Sequence, residues 1–248
     1  MVRNAWITLC IFCWFSAQAQ KKYVQSLDTS QVYLNPYMDP LDYSQFSGIH
    51  LLHAKVEVGR LNVALLEASV FFYLNQWRTK SHRYEFQIEN KLQVISRGYV
   101  ERYSKGRFEK NRSNYGRLNT FVHKVPKYIT LDFSYIQAAS GLVNLAHHKR
   151  GKYYYSKAYG TSEIDLYSGS RSRIDSMHSA IPIHLKTYGE LAQEVVFKVT
   201  RGQSARYFRS KAYEIVGISI QATSIHSRRV NQLKYVVILG GYRIRFME

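Results

Sequence analysis

The stretch Tyr235-Val-Val-Ile-Leu-Gly-Gly-Tyr-Arg-Ile-Arg-Phe246 is the segment on which the fold turns. Val236, Ile238, Tyr242, Ile244 and Phe246 share one parity, opposite Arg243 and Arg245. A period of two places alternate side chains on opposite faces of a strand. Working back along the chain, the same texture recurs. In 52–58, Leu52, Ala54, Val56 and Val58 oppose His53, Lys55 and Glu57; in 83–95, Tyr84, Phe86, Ile88, Leu92 and Val94 oppose Glu85, Gln87, Glu89, Lys91 and Gln93. In 129–135, Ile129, Leu131, Phe133 and Tyr135 oppose Thr130, Asp132 and Ser134, and in 216–223 Val216, Ile218, Ile220 and Ala222 oppose Gly217, Ser219, Gln221 and Thr223. The run 62–75 sets Ala64, Leu66, Ala68, Val70, Phe72 and Leu74 against Glu67 and Ser69; Leu61, Leu65, Ala68 and Phe72 also have helical spacing, but it is read here as a strand.

A row of charged and amide side chains cannot face a dry core. Such strands suit either a soluble antiparallel sheet or a transmembrane barrel with its apolar face on lipid. Several runs reach ~10 residues or more, the length that crosses a bilayer at a tilt, against ~5–6 for strands of soluble domains. Composition agrees, with 21 Tyr and 12 Phe but only 4 Pro in 248 residues. The expected fold is therefore all-β: a closed antiparallel transmembrane β-barrel of about 8–10 strands.

The other end of the chain reads as an export signal. Arg3 precedes the uncharged apolar run 5–15, and Ala17-Gln-Ala19 supplies small residues for cleavage after Ala19. That run is too short for a spanning helix, which needs about 20 apolar residues. The organisation expected is a signal over 1–19, an irregular lead-in over 20–45 with turns at Asn35-Pro36 and Asp39-Pro40, and the barrel over 46–248. Both cysteines, Cys10 and Cys13, lie in the signal, so disulfides, thiolate metal sites and a cysteine nucleophile are excluded from the mature chain. Removing Arg3 from 35 Lys+Arg leaves 34 against 17 Asp+Glu, a net +17 that favours anionic partners.

The ending Ala-Gln-Ala before Gln20, the cysteine-free mature chain and the last strand 240–246 resemble the small outer-membrane β-barrel proteins of Bacteroidota. That resemblance implies an outer-membrane location and an assembly signal at Tyr242, Ile244 and Phe246, read by the barrel-assembly machinery. Met247 and Glu248 depart from the pattern by following the terminal aromatic residue. A shorter segment, Ser30-Gln31-Val32-Tyr33-Leu34-Asn35-Pro36 followed by Asp39-Pro40 and Tyr43, is similar to outer-membrane proteins associated with gliding and type IX secretion. It implies secretion or gliding components as partners.

In a barrel, Lys55, Glu57, Glu67, Glu85, Glu89, Lys91, Asp132, Arg243 and Arg245 face the lumen, where ion pairs fill a narrow interior. Arg97, Arg102, Lys105, Arg107, Lys110, Arg112 and Arg117, interleaved with Tyr99, Tyr103, Phe108 and Tyr115, form a basic stretch. For an exported chain this is read as a loop resting on outer-membrane lipid and lipopolysaccharide, in preference to a nucleic-acid track. No pair of the nine histidines has the spacing that aims two imidazoles at one metal, and no cofactor is expected. A lipid acyl hydrolase built on His226-Ser227 with Glu214 or Asp132 is the catalytic alternative, but adjacent residues do not make a nucleophile–base pair. The function expected is a monomeric, non-enzymatic outer-membrane barrel in a structural, adhesion or secretion-associated role. The alternative is a soluble periplasmic β-rich protein that binds an acidic ligand.

Overall fold

A computed structural model describes residues 35–37, 46–56, 61–104, 135–145, 153–157, 164–168, 181–182, 185–201, 205–222 and 233–242. The expected barrel is overturned. The central element is a four-stranded, mixed and open sheet, flanked by helices on both faces, which makes the fold α/β. Its strands are β1 (Gln87–Ile88), β2 (Tyr135–Val143), β6 (Ile215–Ala222) and β7 (Leu233–Gly241), in the spatial order β1-β6-β7-β2. β1 runs parallel to β6; β7 runs antiparallel to both β6 and β2. A separate antiparallel sheet joins β3 (Tyr153–Lys157), β4 (Ile164–Ser168) and β5 (Ile181–Pro182).

The sequence of β6 and β7 explains why no lipid is needed. Ile218 pairs with Val237, Val216 with Leu239 and Ile220 with Tyr235, so these six side chains share one face. That face packs on helices α1 (Val63–Lys80) and α3 (Tyr188–Arg201) in a core that includes Leu66, Val70, Leu74, Leu191 and Val195. The opposite face carries Ile215, Gly217, Val236 and Ile238 and lies under α2 (Asn90–Ser104). At Gly217 the α2 backbone comes so close that a Cβ would collide with the Leu92 carbonyl group. Glycine inside a strand marks such a backbone approach. All nine residues of β7 are buried, so hydrocarbon has no access to either side of this strand.

Two sequence runs read as strands form helices instead. The run 62–75 is the start of α1: Asn62 caps it by accepting from the Leu65 amide at 3.0 Å. The run 83–95 splits into the two-residue β1 and the first turns of α2, whose buried Leu92, Gln93, Ile95, Ser96, Tyr99 and Val100 follow helical spacing. The run 52–58 is described as far as Val56. It follows a 3-10 turn, Ile49–Leu51, and makes a single antiparallel bridge, Lys55 to Thr187. Of 129–135, only Tyr135 falls within the described residues, at the start of β2. The turn expected at Asn35-Pro36 is present, with the Tyr37 amide donating to Asn35 Oδ1 at 3.0 Å. Asn35 Nδ2 then donates to the Ala64 carbonyl at 2.8 Å and docks the lead-in on the start of α1.

The open edge of β6 is closed by side chains. β1 covers only Ile215 and Val216. Beyond it, the Ile218 amide donates to Gln93 Oε1 at 2.8 Å while Gln93 Nε2 donates to the Ile218 carbonyl. The Ile220 amide donates to Glu67 Oε1 at 3.0 Å. Gln93 arrives from one face of the sheet and Glu67 from the other, and both are buried. Buried backbone groups left without partners are costly, and an unblunted edge invites pairing with another chain.

Candidate functional site

The corner where α1 ends and β6 begins combines buried order with exposed charge. α1 stops in a Schellman motif: the His82 amide donates to the Thr79 carbonyl at 3.0 Å and the Arg83 amide to the Arg78 carbonyl at 3.1 Å. His82 sits at φ 52°, the left-handed region in which glycine is usual at this position. Below it, Asn75 pairs with both backbone groups of Phe86, donating to its carbonyl at 2.9 Å and accepting from its amide at 2.7 Å.

Arg78 ties these pieces together. It is 1% exposed, and its guanidinium donates to the carbonyls of Tyr84 (2.7 Å), Phe208 (3.0 Å), Ser210 (3.2 Å) and Tyr213 (3.1 Å). The guanidinium also lies 3.9 Å from the centre of the Phe86 ring, which meets Phe208 edge-on. Desolvation, reinforced by the nearby Arg83 charge, brings the Arg78 pKa down to about 10, so the group stays cationic at neutral pH. One buried fork thus fixes the loop after α1, the short helix α4 (Ala205–Phe208) and the turn into β6. At Gly241 the Ala212 carbonyl occupies the space a Cβ would need, so this turn rests directly on β7.

The surface of the corner is basic. Lys80, His82, Arg206, Arg209 and Lys211 are exposed and Arg83 is half-buried, its Nε donating to the Arg209 carbonyl at 2.9 Å. Neither 78–84 nor 205–213 contains Asp or Glu; Glu85 and Glu214 stand at their ends. Tyr84, whose carbonyl is held by Arg78, is 83% exposed.

A second charged cluster latches α3 to the end of β2. Lys186 Nζ lies 2.5 Å and Lys198 Nζ 3.0 Å from the Glu194 carboxylate, while the same two amines donate to the carbonyls of Asn144 and Leu142. Desolvation pushes the Glu194 carboxyl up, but the hydrogen bonds and charges of Lys186 and Lys198 outweigh it and leave its pKa lowered. Burial, with Glu194 nearby, holds the Tyr235 hydroxyl well above its ordinary pKa. The N-terminus of α3 carries a reciprocal cap: the Glu190 amide donates to Thr187 Oγ1 at 3.2 Å and the Thr187 amide to Glu190 Oε2 at 2.8 Å.

The residues assigned to a lumen do not converge. Glu67 is buried in the core at the edge of β6; Lys55 and Glu85 are exposed; Glu89 and Lys91 are half-buried at the start of α2. The lumen assignment goes with the barrel. Glu57, Asp132, Arg243 and Arg245 lie outside the described residues, as do Ile244 and Phe246 of the assembly signal, whereas Tyr242 is exposed just past β7. Of the basic stretch, Arg97 is half-buried on α2, Arg102 belongs to α2, and Lys105, Arg107, Lys110, Arg112 and Arg117 are outside the described residues. The signal segment, Asp132, His226 and Ser227 are outside as well, and Glu214 is exposed where its carbonyl accepts the Gln87 amide. Among the described residues, no group of three or more His, Cys, Asp or Glu side chains is placed to hold a metal ion.

The basic corner escaped sequence reading because its two halves are 126 residues apart at Arg83 and Arg209. The pairing of two acid-free basic runs, 78–84 and 205–213, was the available signal. No protein-family model matches the chain, and no curated protein matches it.

Proposed function

We propose that the chain is an exported, non-catalytic α/β protein that binds an anionic partner through its surface cations. The observation that carries this reading is the basic corner: exposed Lys80, Arg206, Arg209 and Lys211 stand on a backbone immobilised from beneath by Arg78. Pre-organised cations lose less freedom on binding than cations on a loose loop. The surplus of basic over acidic residues supplies long-range attraction for the same class of partner. Export is supported by Arg3, the apolar run 5–15 and the small residues Ala17 and Ala19.

Retention of the protein lacking its signal on phosphocellulose, compared with unmodified cellulose over a salt gradient, tests the binding. Release that moves to lower salt in Arg209→Gln is expected. Equal elution from the two matrices counts against the reading. Fractionation of cells producing the full chain tests export, with the processed form expected outside the cytoplasm.

A further inference from the structure

We infer that the corner is a docking surface for the phosphates of an anionic lipid layer, with Tyr84 as its interfacial anchor. This deepens the anion-binding reading above and rests on it. The two segments bring Lys80, Arg83, Arg206, Arg209 and Lys211 to one region with only Glu85 and Glu214 at its margins. Arg83 and Arg209 are joined directly, so the cations of α1's end and of the 205–213 segment form one patch.

Tyr84 selects lipid among phosphate-bearing partners. Its ring is the most exposed large apolar side chain among the described residues, at 83%. Its backbone is fixed by the Arg78 bond to its carbonyl, so the ring stands out from a rigid support. A ring with an apolar body and a polar tip is suited to the headgroup level of a bilayer, and surrounding lysines and arginines add attraction to its phosphates. Each such cation contributes roughly a fivefold gain in partitioning, so the patch alone supports reversible association.

The test is sedimentation of the protein with vesicles of phosphatidylcholine, with and without phosphatidylglycerol, with a DNA duplex as competitor. Wild type is expected on the phosphatidylglycerol vesicles only. Lys80→Glu and Lys211→Glu each change the charge by two units, so each is expected to weaken binding roughly twenty-five-fold, and their combination to abolish sedimentation with the vesicles. Lys55→Glu, which makes the same charge change on an exposed residue near α3, is expected to shift binding less than about twofold. Tyr84→Ser, which alters a side chain almost wholly in solvent, gives a second handle that leaves folding intact. It should weaken vesicle binding and leave DNA binding unchanged.

If Lys55→Glu weakens binding as much as Lys211→Glu, the corner is not the site, although anion binding stands. DNA that strips the protein from vesicles at stoichiometric amounts assigns the patch to nucleic acid and overturns the lipid assignment. Wild type that binds neither vesicles nor DNA removes the anion-binding reading itself.

Discussion

Gln93, on a helix covering one face of the sheet, replaces a missing strand for Ile218: its side-chain amide takes the Ile218 amide hydrogen at 2.8 Å and returns a hydrogen bond to the Ile218 carbonyl. A glutamine side chain here does the work of one residue of backbone, because its carbonyl and amine present the same acceptor and donor as a peptide unit. Gln93→Leu keeps the apolar bulk and removes both partners from a buried edge. A loss of about 2–4 kcal/mol is expected in urea unfolding, with the slope unchanged. A loss near zero would mean that water or another group already serves Ile218.

Arg78 has four carbonyl acceptors, one at Tyr84 just after α1 and three in the segment 205–213. Lysine carries the charge but not the planar fork, so Arg78→Lys should rescue little. Both Arg78→Lys and Arg78→Met are expected to destabilise by about 3 kcal/mol or more, since several buried carbonyls lose their donors together. Protease sensitivity should appear first near 205–213, the segment that Arg78 holds. Cleavage that begins elsewhere would contradict this placement.

His82 adopts a left-handed conformation that costs a side-chain-bearing residue about 1–2 kcal/mol. His82→Gly removes that strain while adding freedom to the unfolded chain. A net gain of about 1 kcal/mol in stability is expected. A destabilised variant would show that the imidazole makes a contact the fold needs.

Glu194 supplies a signed pH dependence. Its folded carboxyl is held below the ordinary value, on balance, by Lys186 and Lys198 acting against desolvation. A depressed acid contributes stability that is present above the unfolded pKa and is lost as pH falls through the folded one. Wild type should therefore exceed Glu194→Gln in thermal stability at neutral pH, and the two should converge below the ordinary carboxylate range. A difference that stays constant into acid would place the contribution of Glu194 in packing.

Strands β6 and β7 were legible in the sequence, because alternation and β-branched content coincide in 216–222 and 235–239. Their surroundings were misread. Tyr235-Val-Val-Ile-Leu239 is apolar on both parities, which is the pattern of a strand covered on two faces rather than one divided between lipid and lumen. α1 hid for a related reason. Buried Leu66, Val70 and Leu74 are joined by Glu67, Ser69, Asn75 and Arg78, so its inner surface is partly polar and its helical period is blurred. The polar row 85, 87, 89, 91, 93 arose from two elements read as one, with Asn90 beginning a helix in its middle. The cap at Thr187 and Glu190 was visible as a Thr-Tyr-Gly-Glu run before an apolar segment, a start signal that sequence reading passed over.

The central claim is that helices, and not hydrocarbon, cover the apolar ribbon of β6 and β7. Methyl-resolved nuclear Overhauser spectra of the protein lacking its signal, recorded with mild detergent present, test it most directly. The Leu92 Cδ1 and Ile215 Cδ1 methyls both lie against Gly240, so cross-peaks from each of them to the Gly240 α protons are predicted, with none from Ile238 to detergent chains. Strong Ile238-to-detergent cross-peaks, with the Leu92-to-Gly240 signal missing, would contradict the account.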